Sequence, residues 1–475
     1  MTKTNIDSAL LTISLDRSLK QSLQAQLSGE IRRLAHERRI TSGDQLPPSR
    51  VLARDLSVSR ITVTTAYDQL VSEGYLVGRR GAGVFVADEL SGMPPPPEPE
   101  KPKPDGGGIT LPEPVRAFES AAPDHAGFPF RDWARAHDQV WRAPDPALLG
   151  KPDALGWGPL RMAIAGHLKD WRGISCDPGQ VVITSGLADA VGMITRAVLD
   201  PDDKVLVEEP GHAVLREALE RNGLRWVPGQ VDDDGLIVDP DRADIRAVAL
   251  TPSRQFPLGM TLPLARRLRV LDWAERADGI VIEDDYDGEY RYQGQPIAAL
   301  MSLDGGARVF YIGSFSKVLF PGLRLGFVVV PQPQLSRVRG ALNFGPLASI
   351  VSQPVLTRFI ESGMFATHIR RMRRLYSHRQ KVLVAEINRA CAGLLKVQPS
   401  QAGMHLVASM TPQLSARIDD NEAAARAQAH GVTVRALSGY YAGPAQRQGL
   451  VLGYAGFDDA QIVSAAQALA AALRP

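Results

Sequence analysis

The chain has few cysteines and no long apolar run, and these shortages exclude several classes of protein before any motif is considered. Only two cysteines, Cys176 and Cys391, stand among 475 residues, too few for a disulfide framework and too scattered for a metal site. We expect both to be small buried hydrophobic residues and predict no metal centre. No apolar run approaches the roughly 18 residues of a membrane span, and the first residues lack a signal-peptide pattern. These absences predict a cytoplasmic protein with no membrane partner.

An excess of charge of one sign is also missing. The chain carries 54 Lys and Arg against 52 Asp and Glu, a formal net charge of +2, so its overall charge names no partner. What is present is length. With 475 residues, 44% of them hydrophobic, the chain exceeds the size at which one core usually stops growing, and we expect two or three domains.

A proline-rich and glycine-rich stretch divides the chain. Residues 91–108 read SGMPPPPEPEKPKPDGGG, in which eleven of eighteen residues are Pro or Gly, a composition that cannot form a core. We predict a linker over 89–112, a first domain over 12–88 and a second over 113–475, with a large subdomain at about 145–345 and a small one at about 346–475. A proline-rich peptide ligand is the competing interpretation, but the position between two folded blocks favours a linker.

The first block has the pattern of a helix-turn-helix followed by a hairpin. Apolar residues recur at helical spacing from Leu19, and Ser49 and Ser59 are placed to cap two further helices. The string YLVGRRGAGVFV then alternates around a basic, glycine-bearing tip, which predicts two short strands. Three helices with a basic wing form a small α+β unit of the kind that docks into a DNA major groove.

The string LPPSRVLARDLSVSRITVTTAYDQLVSEGYLVGRRGAGVFV closely resembles the winged helix of the GntR superfamily of bacterial regulators. Only Pro48 and Ser57 replace the residues most expected there, Ser and Gly. The resemblance implies double-stranded DNA as partner, with two sets of contacts: to phosphates or base edges from Arg50, Arg60 and Thr62, and in or beside the minor groove from Arg79, Arg80 and Gly81.

A solvated basic surface is the competing interpretation of these arginines. Residues 1–88 carry twelve Lys and Arg against nine Asp and Glu, which is a weak electrostatic footprint. We therefore expect a dimer that reads two half-sites.

The second block alternates helical stretches with short β-branched runs, which is typical of an α/β domain. The runs are VVIT (181–184), KVLVEE (204–209), AVALT (247–251), GIVIED (279–284) and RVFYIGS (308–314). Their composition predicts buried parallel strands, and ligands bind at the C-terminal ends of such strands.

The strongest group of reactive residues follows the last of these runs, in SFSKVLFPGLRLG (314–326). Lys317 is an amine nucleophile placed beside hydroxyls and a guanidinium that can grip a phosphate, from Ser314, Ser316 and Arg324. Each motif alone is weak evidence for a cofactor site, because a lysine near serines usually lies on the surface and an acidic EDDY segment is usually a solvated turn. Their order, with 33 residues from Asp284 to Lys317, favours a pyridoxal phosphate site.

Two other segments supply the rest of that site. Asp284 and Tyr286 are two residues apart, so a strand points them to one side, where they can meet a pyridinium nitrogen and the ring's 3′ oxygen. The turn ITSGLADAV can offer free amides to a phosphate, from Ser185, Gly186 and Leu187.

At this point the chain resembles fold-type I aminotransferases, and the order of its two blocks resembles the MocR subfamily of regulators. The resemblance implies a Schiff base on Lys317, with Asp284, Tyr286, Ser314, Ser316 and Arg324 around the cofactor pyridoxal 5′-phosphate. It places His212 where an aromatic ring stacks on the cofactor, Gln255 near the 3′ oxygen, Arg254 at a common His position, and Lys151 where a tyrosine contacts the partner subunit's phosphate. Near LVLGYAGF (450–457), where aminotransferases keep a carboxylate-binding arginine, none stands in register, and Arg435 and Arg447 are only nearby.

We therefore expect a transcription regulator that senses an amino acid, an amine or the cofactor through Lys317, as a head-to-tail homodimer. A working aminotransferase with a DNA-binding tail is the alternative, since the nucleophile and electron sink are kept and slow transamination is chemically possible. A third possibility is a cofactor-free interaction module.

Overall fold

The computed structural model describes Leu10 and residues 12–79, 81–88, 116–120, 122–295, 297–342 and 348–474. Contacts divide the chain into two compact units, Met1–Pro112 and Glu113–Pro475. The predicted linker, 89–112, and the wing residue Arg80 lie outside the described residues.

Among its described residues, the first unit contains three complete helices and the two strands of a hairpin. They are α1 (Leu23–His36), α2 (Ser49–Asp55), α3 (Arg60–Ser72), β1 (Leu76–Arg79) and β2 (Gly83–Val86). The two strands are antiparallel, with Arg79 opposite Gly83, so the basic tip lies at the turn. Apolar side chains from α1 and α3 fill a small core in which Leu27 and Val63 are fully buried. This is the predicted winged helix.

Helix starts in this unit follow local capping chemistry, and one cap differs from the prediction. α1 begins four residues after Leu19, because the Ser22 hydroxyl accepts a hydrogen bond from the Ala25 amide. Ser59 caps α3 as predicted, accepting from the Thr62 amide at 3.1 Å. Ser49 is no cap: it is the first residue of α2, preceded by Pro48, whose fixed φ favours a helix start.

Ser57 marks the turn between α2 and α3. Its φ is +53°, the left-handed region that glycine adopts without a steric cost. This backbone requirement explains why Gly is the residue most expected at that position.

The second unit is an α/β fold around a large mixed sheet. Its large part contains α4 (Phe130–Trp141), α5 (Gly158–Arg172), β3 (Val181–Thr184), α6 (Leu187–Val198), β4 (Lys204–Glu209), α7 (Ala213–Arg221), β5 (Arg225–Asp232), β6 (Gly235–Leu236), β7 (Ala247–Leu250), α8 (Leu264–Arg276), β8 (Ile280–Asp285), α9 (Leu300–Asp304), β9 (Val309–Ser314), α10 (Phe315–Val318), β10 (Gly326–Val329) and α11 (Leu335–Leu342). The strand order is β3-β10-β9-β8-β7-β4-β5-β6.

Most of the sheet is parallel, as predicted, but two strands are not: the edge strand β6 pairs antiparallel with β5, and β10 lies within the sheet. β10 runs antiparallel to both of its neighbours, β3 and β9, so VVIT pairs with an antiparallel strand. Sequence reasoning missed β10 because its residues, GFVV, follow the lysine motif without a break. The sheet is covered on both faces: Val181 and Ile183 point into one apolar cluster and Val182 into the other.

A smaller α+β part completes the unit. It contains α12 (Gln353–Glu361), α13 (Met364–Ala390), β11 (Leu395–Val397), β12 (His405–Met410), α14 (Pro412–Ser415), α15 (Asp420–Ala429), β13 (Arg435–Ala436), β14 (Gly449–Gly453) and α16 (Asp459–Leu473). Its four strands form an antiparallel sheet in the order β11-β12-β14-β13. Cys391 is buried, and Cys176 is half-buried.

Within the described part of the chain, no helix combines the length and the apolarity that crossing a membrane requires. No group of three or more His, Cys, Asp or Glu side chains is placed to hold a metal ion there.

Candidate functional sites

The ends of three strands bring the predicted lysine site together. Gly326, the first residue of β10, lies opposite both Thr184 at the end of β3 and Ser314 at the end of β9. Asp284, next to the end of β8, pairs in register with β9. α10, which carries Lys317, starts directly after β9. The strand ends therefore gather the lysine, the aspartate and the SGL turn at one edge of the sheet.

Lys317 is a largely buried amine beside carboxylates. Burial lowers its pKa, whereas the nearby Asp284 and Asp287 raise it. Among the described residues its amine has no hydrogen-bond partner. A lysine in this setting loses its proton more readily than a solvated one, which is what a nucleophilic amine needs.

Asp284 is a buried carboxylate without a hydrogen bond. Its residue is 7% exposed, and no donor among the described residues reaches its oxygens. Burial first, and then the neighbouring Asp285, raise the pKa of Asp284 to about 7. A carboxylate in such a place needs a cationic or protonated partner, and a pyridinium nitrogen is one.

Arg254 positions Tyr286, whereas the Gln255 side chain hydrogen-bonds to backbone carbonyls. The Tyr286 hydroxyl accepts a hydrogen bond from Arg254 Nη1 at 2.8 Å. Both Gln255 amide donations go to backbone, to the Pro210 and Phe256 carbonyls, each at 2.8 Å. The prediction that Gln255 reaches the 3′ oxygen therefore differs from the structure, because its amide braces the turn and the guanidinium takes the position beside Tyr286.

His212 presents a flat neutral ring. It precedes α7, and its Nδ1 accepts from the Val214 amide at 3.2 Å, so the other ring nitrogen carries the proton. Burial, with Lys317 and Arg216 nearby, lowers the pKa of His212 to about 4. The ring stacks on Phe256 with centroids 4.8 Å apart. The structure thus gives His212 both a capping role and a place in an aromatic group that also contacts Tyr286.

The SGL turn lies at the N-terminus of α6. Gly186 has a φ of +131°, a conformation that favours glycine, and the first amides of a helix lack intrahelical acceptors. Ser185 differs from the prediction: its amide and hydroxyl both donate to Asp189, at 2.8 and 3.1 Å. Gly186 and Leu187 remain as amide donors, and the buried Thr184 Oγ1 nearby has no hydrogen-bond partner in the part of the chain that the structure describes.

The predicted phosphate-binding side chains of the lysine motif differ in how far they are available to a ligand. Ser314 is half-buried at the end of β9, and Ser316 exchanges hydrogen bonds with the backbone of Leu325 at 3.1 and 3.3 Å. Arg324 has a φ of +50°, and its exposed guanidinium has no acidic partner among the described residues. Lys151 is exposed too, with no partner in the described chain.

Sequence reasoning missed a layer of buried charges beneath the site. Asp285 receives Arg172 Nη2 and the Tyr311 hydroxyl, each at 2.5 Å. Glu283 accepts the amides of Leu300 and Met301, and burial raises its pKa to about 6. The available signal was three consecutive acids at the end of a strand that is buried on both faces.

These residues fit pyridoxal 5′-phosphate. The orphaned Asp284 carboxylate suits the ring nitrogen, Tyr286 the ring oxygen, His212 a ring face, and the helix N-terminus with Arg324 the phosphate. When bound, that cofactor supplies an aldehyde for amines and an electron sink.

The two candidate carboxylate-binding arginines differ in place. Arg435, in β13, lies opposite Val451 of β14 and pairs with Glu119 at 2.9 Å. It also lies close enough to Lys317 to lower that lysine's pKa. Arg447 pairs with the exposed Asp233 at 2.9 Å, in a different cavity. Arg435 is therefore the arginine nearer the lysine site.

The winged helix presents the predicted DNA-contacting residues on its surface. Arg50 and Arg60 are exposed, at the starts of α2 and α3, and Thr62 is half-buried with its hydroxyl 2.8 Å from that of Ser59. Ile61, not predicted, is 76% exposed at the start of α3. An apolar residue on the polar face of a helix was the signal for it, because such a side chain can meet a thymine methyl group.

The wing places its cation and glycine as the hairpin requires. The Arg79 guanidinium lies 4.7 Å from the ring centroid of Phe85, and Gly81 has a φ of +79° in the turn. Both residues are exposed.

Comparisons with known proteins agree with both units. The family model "Bacterial regulatory proteins, gntR family" matches residues 23–86, and "Aminotransferase class I and II" matches residues 119–469. The probable rhizopine catabolism regulatory protein MocR of Rhizobium meliloti is 38% identical over 94% of this chain and 92% of its own. The pyridoxine biosynthesis transcriptional regulator PdxR of Corynebacterium glutamicum is 33% identical over 94% and 95%.

Among solved structures the chain is similar to aminotransferases. The kynurenine aminotransferase of Pyrococcus horikoshii matches with a TM-score of 0.68 and 26% identity, over 76% of this chain and 91% of that one. The α-aminoadipate aminotransferase LysN of Thermus thermophilus matches with a TM-score of 0.67 and 26% identity, over 76% and 92%.

Proposed function

This chain belongs to the MocR-type transcription regulators of the bacterial GntR family, and on that premise we propose that it senses a small molecule through pyridoxal 5′-phosphate held on Lys317. The observation that carries the proposal is that a largely buried lysine lies near a buried aspartate at one sheet edge, and that no donor among the described residues reaches this aspartate. The ligand is an amino acid, an amine or the cofactor itself.

The chain's own residues would prepare this site in distinct ways. Burial favours the neutral, nucleophilic form of the Lys317 amine. The Asp284 carboxylate would share a proton with the ring nitrogen of the bound cofactor. Arg254 holds the hydroxyl of Tyr286 in place, and this hydroxyl would contact the ring oxygen. His212 would cover one face of the ring as a neutral imidazole, which costs no buried charge.

Arg435 is the group we assign to the carboxylate of an amino-acid ligand. In the structure its partner is Glu119, a carboxylate of the protein itself. The backbone of that segment is held against β14, where Gly453 donates to the Phe118 carbonyl at 2.9 Å. Phe118 is fully buried with a φ of +71°, a strained conformation that only its surroundings maintain.

This arrangement offers a route from ligand to linker. A ligand carboxylate on Arg435 would compete with Glu119, and Glu119 lies in the described segment that follows the linker region most closely in sequence. Weakening that ion pair would loosen residues 116–120 and thereby change the restraint on the chain leading to the winged helix.

We further propose a head-to-tail homodimer in the cytoplasm that binds two half-sites on double-stranded DNA. The weak net charge of the winged helix favours two contacts over one. Lys151, exposed and unpaired in the described chain, would reach the phosphate bound by a second copy.

Slow transamination is a second candidate function. The retained Lys317 and Asp284 favour it, whereas β14, GLVLG, has no arginine to fix a substrate carboxylate and Arg435 is engaged by Glu119. Many turnovers with a mixture of amino acids and 2-oxo acids would establish an enzyme in place of a pure sensor.

Borohydride reduction tests the attachment. Full-length protein loaded with pyridoxal 5′-phosphate and reduced should carry the label on the peptide that contains Lys317. Lys317→Ala should lose the visible absorbance of the bound cofactor, whereas Lys169→Ala, at an exposed helix position, should keep it. Equal absorbance in Lys317→Ala would contradict the proposal and favour the cofactor-free interaction module.

Glycine and methylamine test the role of Arg435, because they differ by a carboxylate. The wild-type absorbance should respond at lower concentration to glycine. Glu119→Gln should sharpen that preference and Arg435→Gln should remove it. The same preference in Arg435→Gln as in wild type would refute the assignment.

A further inference from the structure

A second cavity lies behind the lysine site, between the loop after β7 and the small sheet. It has a volume of about 680 Å³, within the range of small-molecule pockets. Loop residues 258–261 form one wall, and strands β11 and β12 with the connection between them form the other. None of the described lining residues is acidic, and four of them are cationic: Arg254, Arg291, Lys396 and Arg447.

The charges of this cavity are only partly neutralised by the protein. Lys396 has no partner among the described residues, and Arg291 donates to the amide oxygen of Gln401 at 2.6 Å. Arg447 pairs with Asp233, but the Asp233 side chain is 94% exposed, and an exposed pair stabilises little. The cavity therefore keeps a net positive potential.

Arg254 gives this cavity a built, buried donor. Its side chain is 3% exposed, and its Nε has no hydrogen-bond partner among the described residues. A buried guanidinium N–H without an acceptor is costly, and carboxylates and phosphates are the acceptors that best match its geometry. Arg291 Nε is a second buried donor without a partner.

The same guanidinium reaches the lysine site from its other side. Arg254 Nη1 donates to the Tyr286 hydroxyl at 2.8 Å and lies 3.3 Å from Asp287, while Nη2 donates to the His405 carbonyl at 2.5 Å. Gly403, with a φ of +101°, allows this approach, because a Cβ there would lie 2.3 Å from the guanidinium carbon. Arg254 is thus fixed between two sites.

We propose that this cavity is a second ligand site, for a small polyanion that carries carboxylate or phosphate groups. Such a ligand would bind the four cations and offset part of the positive potential that Arg254 exerts on Tyr286 and Asp287. The two sites would then be coupled through one side chain. Binding itself is independent of the function proposed above, and only the coupling rests on it.

Isothermal titration calorimetry of the full-length protein tests the binding. Citrate and inorganic pyrophosphate are the probes, with glycerol as the neutral control at matched ionic strength. Lys396→Ala should weaken probe binding about tenfold, as expected for the loss of one charge-assisted contact. Lys381→Ala removes an exposed lysine that lines a different cavity and should change nothing.

Each outcome decides the proposal. Saturable binding of either probe that Lys396→Ala weakens and Lys381→Ala does not supports the site, and the tighter probe identifies the ligand as a carboxylate or a phosphate. No binding of either probe, or equal weakening by both substitutions, overturns it. Lys317→Ala protein should still bind the probe, so failure of the cofactor proposal would leave this result intact.

The coupling has its own readout. In cofactor-loaded protein, a saturating probe should shift the apparent pKa of the cofactor's visible absorbance, because Tyr286 and Asp287 lose part of the positive charge beside them. Arg254→Lys should reduce that shift. Should that buried substitution prevent folding, Arg447→Ala and Lys396→Ala, both exposed, should reduce it in proportion to bound probe. An unchanged absorbance with the probe bound would refute the coupling.

Discussion

In the winged helix, Arg50 and Arg60 point outward with no acidic partner among the described residues, whereas the aminotransferase-like unit buries Arg172 and Arg254 against carboxylates. The exposed cations cost nothing to solvate and are available to phosphates. The buried ones give up hydration, so they persist only where each has a partner or a site to serve. These arginines are thus exposed to solvent in one unit, and in the other they hold buried carboxylates and Tyr286 in place.

The largest expected effect tests the buried half of this comparison. Arg172→Met leaves Asp285 as an uncompensated charge in the core, since the two side chains are 3% and 2% exposed. We expect a loss of about 3–5 kcal/mol in the free energy of unfolding, measured by denaturant titration. Arg142→Met, which breaks an exposed pair with Asp138, should cost under about 0.5 kcal/mol. Equal costs would end the distinction between the two kinds of arginine.

The next effect concerns pH. Burial raises the pKa of Asp284 to about 7 in the folded chain, against about 3.9 in an unfolded one. The native state therefore binds this proton more tightly, and the cofactor-free protein loses stability as pH rises from about 4 to 7. Asp284→Asn removes that loss, so the wild type should fall behind the variant by on the order of 2 kcal/mol between pH 5 and 7.5.

A control separates this group from carboxylates in general. The hydrogen bond from Arg242, and to a lesser degree that from Lys204, lowers the pKa of Asp244, which is an exposed residue. The stability difference between wild type and Asp244→Asn should therefore stay constant over the same pH interval. If the stability difference between wild type and Asp284→Asn also stayed constant with pH, burial would not raise the pKa of Asp284 as proposed.

A smaller effect tests the exposed half. Arg60→Ala should weaken DNA binding about fivefold to tenfold and lower the slope of log affinity against log salt by about 1, because one phosphate contact is lost. Arg33→Ala is the matched control, since Arg33 on α1 is already paired with Glu30 and with Glu37, the residue that follows the helix. Fluorescence anisotropy over a salt series measures both, and identical slopes for the two variants would place the DNA elsewhere.

The smallest effect tests the capping difference between α2 and α3. Ser59→Ala should cost about 1 kcal/mol of protection in the first turn of α3, because the Thr62 amide loses its acceptor. Ser49→Ala should change α2 by less than about 0.5 kcal/mol, since Ser49 caps nothing. Hydrogen exchange of the full chain reports both, and a larger effect at Ser49 would reverse the assignment.

Local patterns predicted much of the fold. The spacing of apolar residues and the Ser59 cap predicted α3, and the alternation around Gly81 predicted the hairpin, because both depend on neighbours in sequence. β10 and its antiparallel pairing were not predictable in this way, since pairing with β3 joins residues 326 and 184. Register over such distances is set by packing of the whole sheet.

The candidate site divides along the same line. Lys317, Asp284 and Tyr286 were predicted from motifs whose chemistry is local, and the structure brings the strand ends that carry Lys317 and Asp284 together. The inward turn of Gln255 and the burial of Arg254 depend on Pro210 and His405, which are distant in sequence. Sequence reasoning has no signal for a hydrogen bond between segments that only the fold brings together.

In the proposed function, Lys317 links a bound small molecule to DNA binding. The most direct test is the anisotropy of labelled DNA from upstream of the protein's own gene, titrated with cofactor-loaded wild type and with Lys317→Ala, each with and without the amino acid that shifts the wild-type absorbance most. We predict that both proteins bind the DNA and that only the wild type changes affinity with ligand. The same ligand response in Lys317→Ala would contradict the account.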